Sequence, residues 1–347
     1  MGSTISIGKK KIGDKFPPFI IAEIGQSHQG NLNKALRYIN QLSKTGVDAI
    51  KFQTHIASEE STLNEPFRVK LKKKFKSRFH YWKSTEFTTN EWRKISDYCN
   101  RKKIIFLSSP FSEKAVDLLN NLKMPAWKIA SGEFFSKKLI QKIIMTRKPL
   151  LISTGMSTYK DINELIKKLR FKKIKYLLFQ CTSDYPSKKE NIGLNVIRDF
   201  KKRFKCPAGL SDHSGNLMCL LSAIANGSNI IECHVQLGNK NNPDFTSSIS
   251  IKNLKFLVDF KNYFFEIKNL DVDKNVLIKS VKKNKRLFSK SLAPKKNMFK
   301  GQTIKSSDLT EKKPGDGIKL SDKRKILGKK LTKDIKYNEL FKPLHFN

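Results

Sequence analysis

No apolar run in this sequence approaches the roughly 18 residues that a membrane-spanning helix requires, and the start of the chain lacks the basic-then-apolar order of a secretory signal. These absences predict a soluble, cytoplasmic protein with no membrane partner. Cysteine is scarce as well: Cys99, Cys181, Cys206, Cys219 and Cys233 are odd in number and none belongs to a C-x-x-C pair. That excludes a disulfide framework and a zinc ribbon. Acidic residues are few, 30 against 70 lysines and arginines, which leaves a net charge of +40. An unstructured polycation is excluded in turn, because 38% of the 347 residues are apolar and 10% aromatic, enough to build a core.

So basic a chain invites a nucleic-acid reading, and the stretch Lys70 to Trp82 (KLKKKFKSRFHYW) interleaves cations with rings as single-strand binders do. The excess charge is nevertheless spread along the whole chain rather than gathered in one stripe, so specific nucleic-acid binding is not expected. Steering of small anionic substrates is the more economical use of such a field. The aromatic-basic stretch follows the second predicted strand, where a loop would cover a barrel mouth.

Eight short apolar runs recur, each ending in polar residues and followed by a helical pattern. They are Phe19 to Gly25, Ala49 to Gln53, Ile104 to Pro110, Ala126 to Glu133, Pro149 to Gly155, Ile174 to Thr182, Cys206 to Asp212 and Asn229 to Leu237. Strand and helix alternating eight times predict an α/β chain, a (β/α)8 TIM barrel over residues 1–272. A polar, lysine-rich linker is expected at 273–285. A small β-rich domain, marked by Pro314-Gly315-Asp316-Gly317 and other turn signals, is expected at 286–347.

Catalytic groups on such a barrel come from the C-terminal ends of strands, and here those ends are polar. They carry Glu23 and His28, Lys51 and Gln53, Ser109, Lys128 with Ser131 and Glu133, Ser153, Ser183 and Tyr185, Ser211 with His213, then Glu232 and His234. Burying Lys, Glu or His costs several kcal/mol unless each is partnered, so their convergence reads as a site. His213 and His234 fall on neighbouring strands and could hold a divalent cation such as Mn2+, Mg2+ or Zn2+. Lys51 and Lys128, with several serine hydroxyls, suit a phosphate plus a carboxylate. Imine chemistry at a barrel lysine is the rival reading, which two lysines beside a histidine pair disfavour.

The runs AEIGQSHQG (22–30), IKFQTHI (50–56), FLSSPFS (106–112), KIASGE (128–133), STGM (153–156), QCTSDYP (180–186), GLSDHSG (209–215) and ECHVQL (232–237) together resemble the N-acetylneuraminate (sialic acid) synthase family. The resemblance covers nearly the entire chain, and the C-terminal segment resembles that family's antifreeze-like SAF domain. It implies condensation of phosphoenolpyruvate with N-acetylmannosamine and water to N-acetylneuraminate and phosphate by C–O cleavage. Legionaminic or pseudaminic acid synthesis from a 2,4-diacetamido sugar is the alternative, and a polyanion-binding protein on an inactive barrel is the alternative of another class. The implied cofactor is Mn2+ or Mg2+ on His213 and His234. Phosphoenolpyruvate would be cradled by Lys51, Ser109, Lys128, Ser131, Ser153, Ser183 and Ser211, and the sugar ordered by Gln53, Tyr185, Glu232 and Asp244. Glu23 and Glu133 are the implied proton-transfer candidates, with Glu232 beside them. The family pattern further implies a domain-swapped homodimer in which an arginine before a P-G-x-G turn caps the partner's barrel. Lys313 stands at that position here, keeping the charge without the bidentate fork. Cys233, Val235 and Asn242 also depart from the pattern.

Overall fold

The computed structural model describes residues 3–67, 75–238 and 243–346. Its contacts divide the chain into two compact units, Met1–Asn269 and Leu270–Asn347. In the first, a short antiparallel hairpin comes before the barrel: β1 (Ile5–Ile7) and β2 (Lys10–Ile12), which bury Ile5, Ile7 and Ile12. This hairpin was not expected from the sequence.

Eight parallel strands follow: β3 (Phe19–Gly25), β4 (Ala49–Thr54), β5 (Ile105–Pro110), β6 (Trp127–Ile129), β7 (Leu150–Ser153), β8 (Tyr176–Cys181), β9 (Ala208–Asp212) and β10 (Ile230–Gln236). Each lies within, or one residue beyond, a predicted run. Strands consecutive in sequence pair in the sheet, β5 and β6 excepted, and β10 pairs with β3, so the last strand returns to the first. The ladder runs β5-β4-β3-β10-β9-β8-β7-β6, which leaves a nearly closed barrel whose one gap among the described residues lies between β5 and β6. A three-residue strand, β11 (Ser248–Ser250), adds to β10. The strands read as continuous apolar runs because helices cover one face and barrel-filling side chains the other.

The covering helices are amphipathic and capped. Leu32–Leu42 buries Ala35, Tyr38, Ile39 and Leu42, positions three and four apart, with Asn31 accepting from the Lys34 amide. Thr88 with Glu91, and Thr158 with Asp161, close reciprocal capping boxes on Thr89–Arg101 and Tyr159–Phe171. No helix among the described residues is long and apolar enough to cross a membrane.

In the second unit, most of the expected linker is helical, as Lys274–Ser280 and Lys282–Phe288. Beyond it, β12 (Ser291–Pro294) pairs antiparallel with β13 (Leu309–Lys312) over a core of Leu292, Met298, Ile304, Leu309, Ile326, Leu331, Ile335 and Phe341.

Candidate active site

The polar strand ends meet in one cavity of about 300 Å3 at the mouth of the barrel. Its floor is a square of buried charge. Parallel pairing sets Glu23 beside Lys51, and Glu232 beside Ser211. Lys51 Nζ lies 2.8 Å from Glu23 Oε2 and 3.7 Å from Glu232 Oε1, while Lys128 Nζ, from β6, lies 3.0 Å from Glu232 Oε1. All four side chains are at most 5% exposed, so any one alone would be strongly destabilising, and each is tolerated because the others are present. Burial would raise Glu232, but Lys128 and Lys51 overcome it and hold the carboxyl down to about 2. Burial does raise Glu23, against the pull of Lys51. Lys51 itself is raised despite burial, by Glu23 and Glu232, whereas burial leaves Lys128 lowered.

Hydroxyls ring this floor. Ser153 accepts from Lys128 at 2.7 Å, Ser109 accepts from Lys51 at 3.3 Å, and Ser211 donates to Glu232 at 3.1 Å. Ser131 accepts from the Gly155 amide at 3.1 Å, and Ser183 also lines the cavity. Gly155 is closely packed here: a Cβ would sit 2.5 Å from Ser183 Oγ and 3.0 Å from Ser131 Oγ, so a side chain at this position must displace a hydroxyl. The turn after β7 thus brings backbone and hydroxyls together where an oxyanion can approach.

On the far wall, His213 and His234 have ring centroids 5.4 Å apart, and Tyr185 stacks on His213 at 4.1 Å. The His213 Nδ1 lies 2.8 Å from the Thr182 carbonyl, to which it donates, so Nε2 is the nitrogen whose lone pair is available to a ligand. Burial pulls His213 down, but Cys181, 3.8 Å away, and the Thr182 carbonyl leave it raised. Burial holds His234 down to about 4, neutral at working pH, with Asp244 3.9 Å from its Nδ1. No three His, Cys, Asp or Glu side chains gather as a ready-made metal cluster among the described residues. The two imidazoles, 5.4 Å apart, are the donors that would suit a divalent cation with its remaining positions left to water or substrate.

Of the residues singled out in the sequence, Glu23, Lys51, Gln53, Ser109, Lys128, Ser131, Ser153, Ser183, Tyr185, Ser211, His213, Glu232, His234 and Asp244 all line the cavity. Glu133 does not: it sits in the turn Ser131–Glu133 and accepts from Ser136 at 2.6 Å. His28 also points away. It is fully buried, stacked on Phe87 at 4.5 Å and held down to about 3 by burial. Lys313 belongs to the second unit, its ammonium 5.6 Å from the Phe288 ring. Asn242 and Lys70 to Lys74 lie outside the described residues, but Arg78, Tyr81 and Trp82 from the rest of the aromatic-basic stretch reach the cavity, as does Phe67.

Sequence reasoning missed Gln26, His55, Phe111 and Cys181 as lining residues. His55 stands one residue past β4, inside the run IKFQTHI, and its ring is sandwiched between Trp82 (3.8 Å, 10°) and Phe111 (4.2 Å, 18°). Its place just beyond a strand end, the criterion that found its neighbours, was the available signal.

The chain matches the NeuB family over residues 38–268. It is 31% identical to the N,N'-diacetyllegionaminic acid synthase of Campylobacter jejuni over 93% of this chain and 98% of that one. It is also 31% identical to the pseudaminic acid synthase of the same organism, over 93% and 95%. Among solved structures, an N-acetylneuraminic acid synthetase from Leptospira borgpetersenii, crystallised with citrate, superposes with a TM-score of 0.72 at 27% identity, covering 82% of this chain and 97% of that one. With eight motifs meeting around one charged cavity and the match running through most of the barrel, the chain belongs to the NeuB family of nonulosonate, sialic acid-type synthases, phosphoenolpyruvate-dependent enzymes that form a carbon–carbon bond.

Proposed function

We propose that this cavity condenses phosphoenolpyruvate with the open-chain aldehyde of an N-acetylated amino sugar and water, releasing a nonulosonate and phosphate by C–O cleavage. The observation that carries the reading is the Lys51–Glu23–Glu232–Lys128 square ringed by Ser109, Ser131, Ser153, Ser183 and Ser211. Ammonium groups and hydroxyls that converge on one point suit a ligand bearing both a phosphate and a carboxylate.

Each chain residue then has a task. Lys51 and Lys128 hold the phosphoenolpyruvate anion, with the serine hydroxyls as further donors. Gln53, Tyr185, Glu232 and Asp244 order the sugar. Glu23, raised by burial yet in contact with Lys51, is the carboxyl suited to hold or move a proton at its Oε2 as water adds to C2. Glu133, outside the cavity lining, is not assigned this role. A divalent cation, Mn2+ or Mg2+, held by His213 and His234 would supply a Lewis acid for the acceptor aldehyde. The resemblance of the second unit's Pro314-Gly315-Asp316-Gly317 turn supports reading it as the SAF module of a swapped homodimer, with Lys313 in place of the family's capping arginine.

The two Campylobacter relatives, matched along 93% of the chain, favour a 2,4-diacetamido sugar of the legionaminic or pseudaminic type as acceptor. N-acetylmannosamine is the second reading, favoured by the Leptospira synthetase. Phosphate release from phosphoenolpyruvate, measured with Mn2+ and each sugar in turn and repeated with EDTA, decides between them. EDTA-sensitive release that is at least about tenfold faster, roughly 1.4 kcal/mol in barrel-site discrimination, with one sugar names the acceptor. Release that needs no sugar, or none from folded metal-loaded protein, overturns the synthase reading for this chain.

A further inference from the structure

Behind the sugar end of the cavity lies a chain of polar contacts in which Gln53 and Glu23 already have tasks in the condensation as described, but His55 and Glu60 do not. Glu60 Oε1 meets His55 Nδ1 at 2.6 Å, His55 Nε2 meets Gln53 Oε1 at 3.4 Å, and Gln53 Nε2 donates to Glu23 Oε1 at 3.0 Å. The two His55 partners and their aromatic walls come from four places. Gln53 is on β4, Glu60 on the short helix Ala57–Glu60, Phe111 just beyond β5, and Trp82 on the cavity-lining helix Arg78–Thr85.

The direction of this chain follows from donors and acceptors alone. Glu23 lies against the Lys51 ammonium and takes the Gln53 amide N–H, so the Gln53 oxygen is the atom that faces His55. An oxygen cannot donate, and His55 Nε2 must therefore carry a hydrogen. On the other side of the ring Nδ1 meets Glu60 Oε1 at 2.6 Å. Were His55 absent, the Gln53 oxygen would lose its partner, and the amide, anchored only through its N–H to Glu23, would be free to swing out of line. The aromatic sandwich keeps the ring from swinging out of this alignment, since Trp82 is itself pinned by its indole N–H to Glu65 at 3.0 Å and by the Arg78 guanidinium 4.8 Å over its face.

We propose that His55 and Glu60 are a positioning pair: they fix the orientation of the Gln53 amide, through it that of the Glu23 carboxylate, and tie both to the aromatic helix Arg78–Thr85 that lines the mouth. Neither need touch the reacting atoms. Their effect falls first on the acceptor end of the cavity; the chain meets the phosphate end through Lys51, which pairs with Glu23, while Lys128 bonds to Ser153 and Glu232 and Ser131 to the Gly155 amide. The role deepens the synthase reading and rests on it.

The test is a double-mutant cycle on the full chain. His55→Phe keeps a ring between Trp82 and Phe111 but removes both ring nitrogens, the one facing Gln53 and the one paired with Glu60, and Gln53→Leu removes the amide that His55 orients. Each is expected to lower kcat with the sugar by about 10- to 100-fold, the range for loss of a group that orients a ligand, with KM for phosphoenolpyruvate within about threefold of wild type. The double variant should be no worse than the poorer single one, because both break the same link. Glu60→Gln, whose amide can still hold the ring, should restore most of what Glu60→Leu loses. Losses that multiply in the double variant, or a His55→Phe enzyme within twofold of wild type, overturn the proposal while leaving the synthase reading intact. If the wild-type protein turns over no sugar, it is the acceptor reading that fails. The 1H–15N spectrum of histidine-labelled protein then decides on its own: a His55 Nε2–H that shifts in Gln53→Leu supports the pair, and an unprotonated Nε2 overturns it.

Discussion

His28 and His234 are both buried imidazoles kept neutral by desolvation, at about 3 and about 4 against an ordinary value of 6.5. As pH falls below 6.5 the unfolded chain takes up protons that these two refuse, so their contribution to stability is complete above 6.5 and is lost progressively toward 4. Each unmatched proton removes about 1.4 kcal/mol per pH unit. In urea unfolding of metal-free protein, stability is therefore expected to fall across pH 6.5 to 4.5, and His28→Phe should flatten that fall by one proton. At pH 7.5 the same variant should be less stable by about 1 kcal/mol, for it loses the Gly30 N–H that donates to Nδ1 at 3.1 Å. Parallel pH profiles for wild type and variant would show that His28 is already protonated or solvated in the fold. His28 also marks the limit of reading single residues from sequence. It follows the same strand end as Glu23, but Gly25, at φ +54°, turns the chain away from the mouth and packs the ring against Phe87. Glu133 is a similar case: one short turn separates it from Ser131, and that turn keeps it out of the cavity lining. His55 is the opposite case: its place just past β4 was a signal in the sequence, but its two polar partners and two ring neighbours come together only when four elements are folded.

At the scale of elements, the eight barrel strands were legible because each is a continuous buried run that ends abruptly in polar residues. The hairpin β1–β2 was not, since ISI and KKI bury only Ile5, Ile7 and Ile12 and look in sequence like a lysine-rich start. The helices at 274–288 were hidden by the same composition: every residue in them is exposed or nearly so, and without a buried stripe the pattern reads as linker. Turns are where element and site join, and the one after β7 offers the sharpest test. Gly155→Ala meets two hydroxyls and the Cys181 carbonyl at 2.5 to 3.1 Å, with no backbone strain, because its φ is ordinary. Displacing Ser131 and Ser183 should raise KM for phosphoenolpyruvate about tenfold while the overpacking destabilises the fold by about 1–3 kcal/mol. KM for the sugar should hardly change. An equal rise in both KM values would place these hydroxyls at the acceptor end instead.

For the molecule as a whole the question is what draws an anion to a floor that is electrically balanced. Lys51 and Lys128 are matched there by Glu23 and Glu232, so the square itself adds no net positive charge at long range. The attraction must come from elsewhere on a chain that carries +40, with the low-dielectric walls of the barrel directing the field through its mouth. Such a field acts over distances that salt screens, about 10 Å at 0.1 M ionic strength, while the contacts within the buried square are hardly screened. Phosphoenolpyruvate and the uncharged sugar should therefore respond differently. Between about 20 and 300 mM KCl, KM for phosphoenolpyruvate is expected to rise several-fold, about 3 to 10, with KM for the sugar within twofold of its starting value. Steady-state phosphate release at saturating concentration of the other substrate measures both. A flat phosphoenolpyruvate profile would mean that the lysine-rich surface does not assist substrate capture. A steep loss of DNA binding with salt in the same buffers would then restore the polyanion reading that the distributed charge otherwise disfavours.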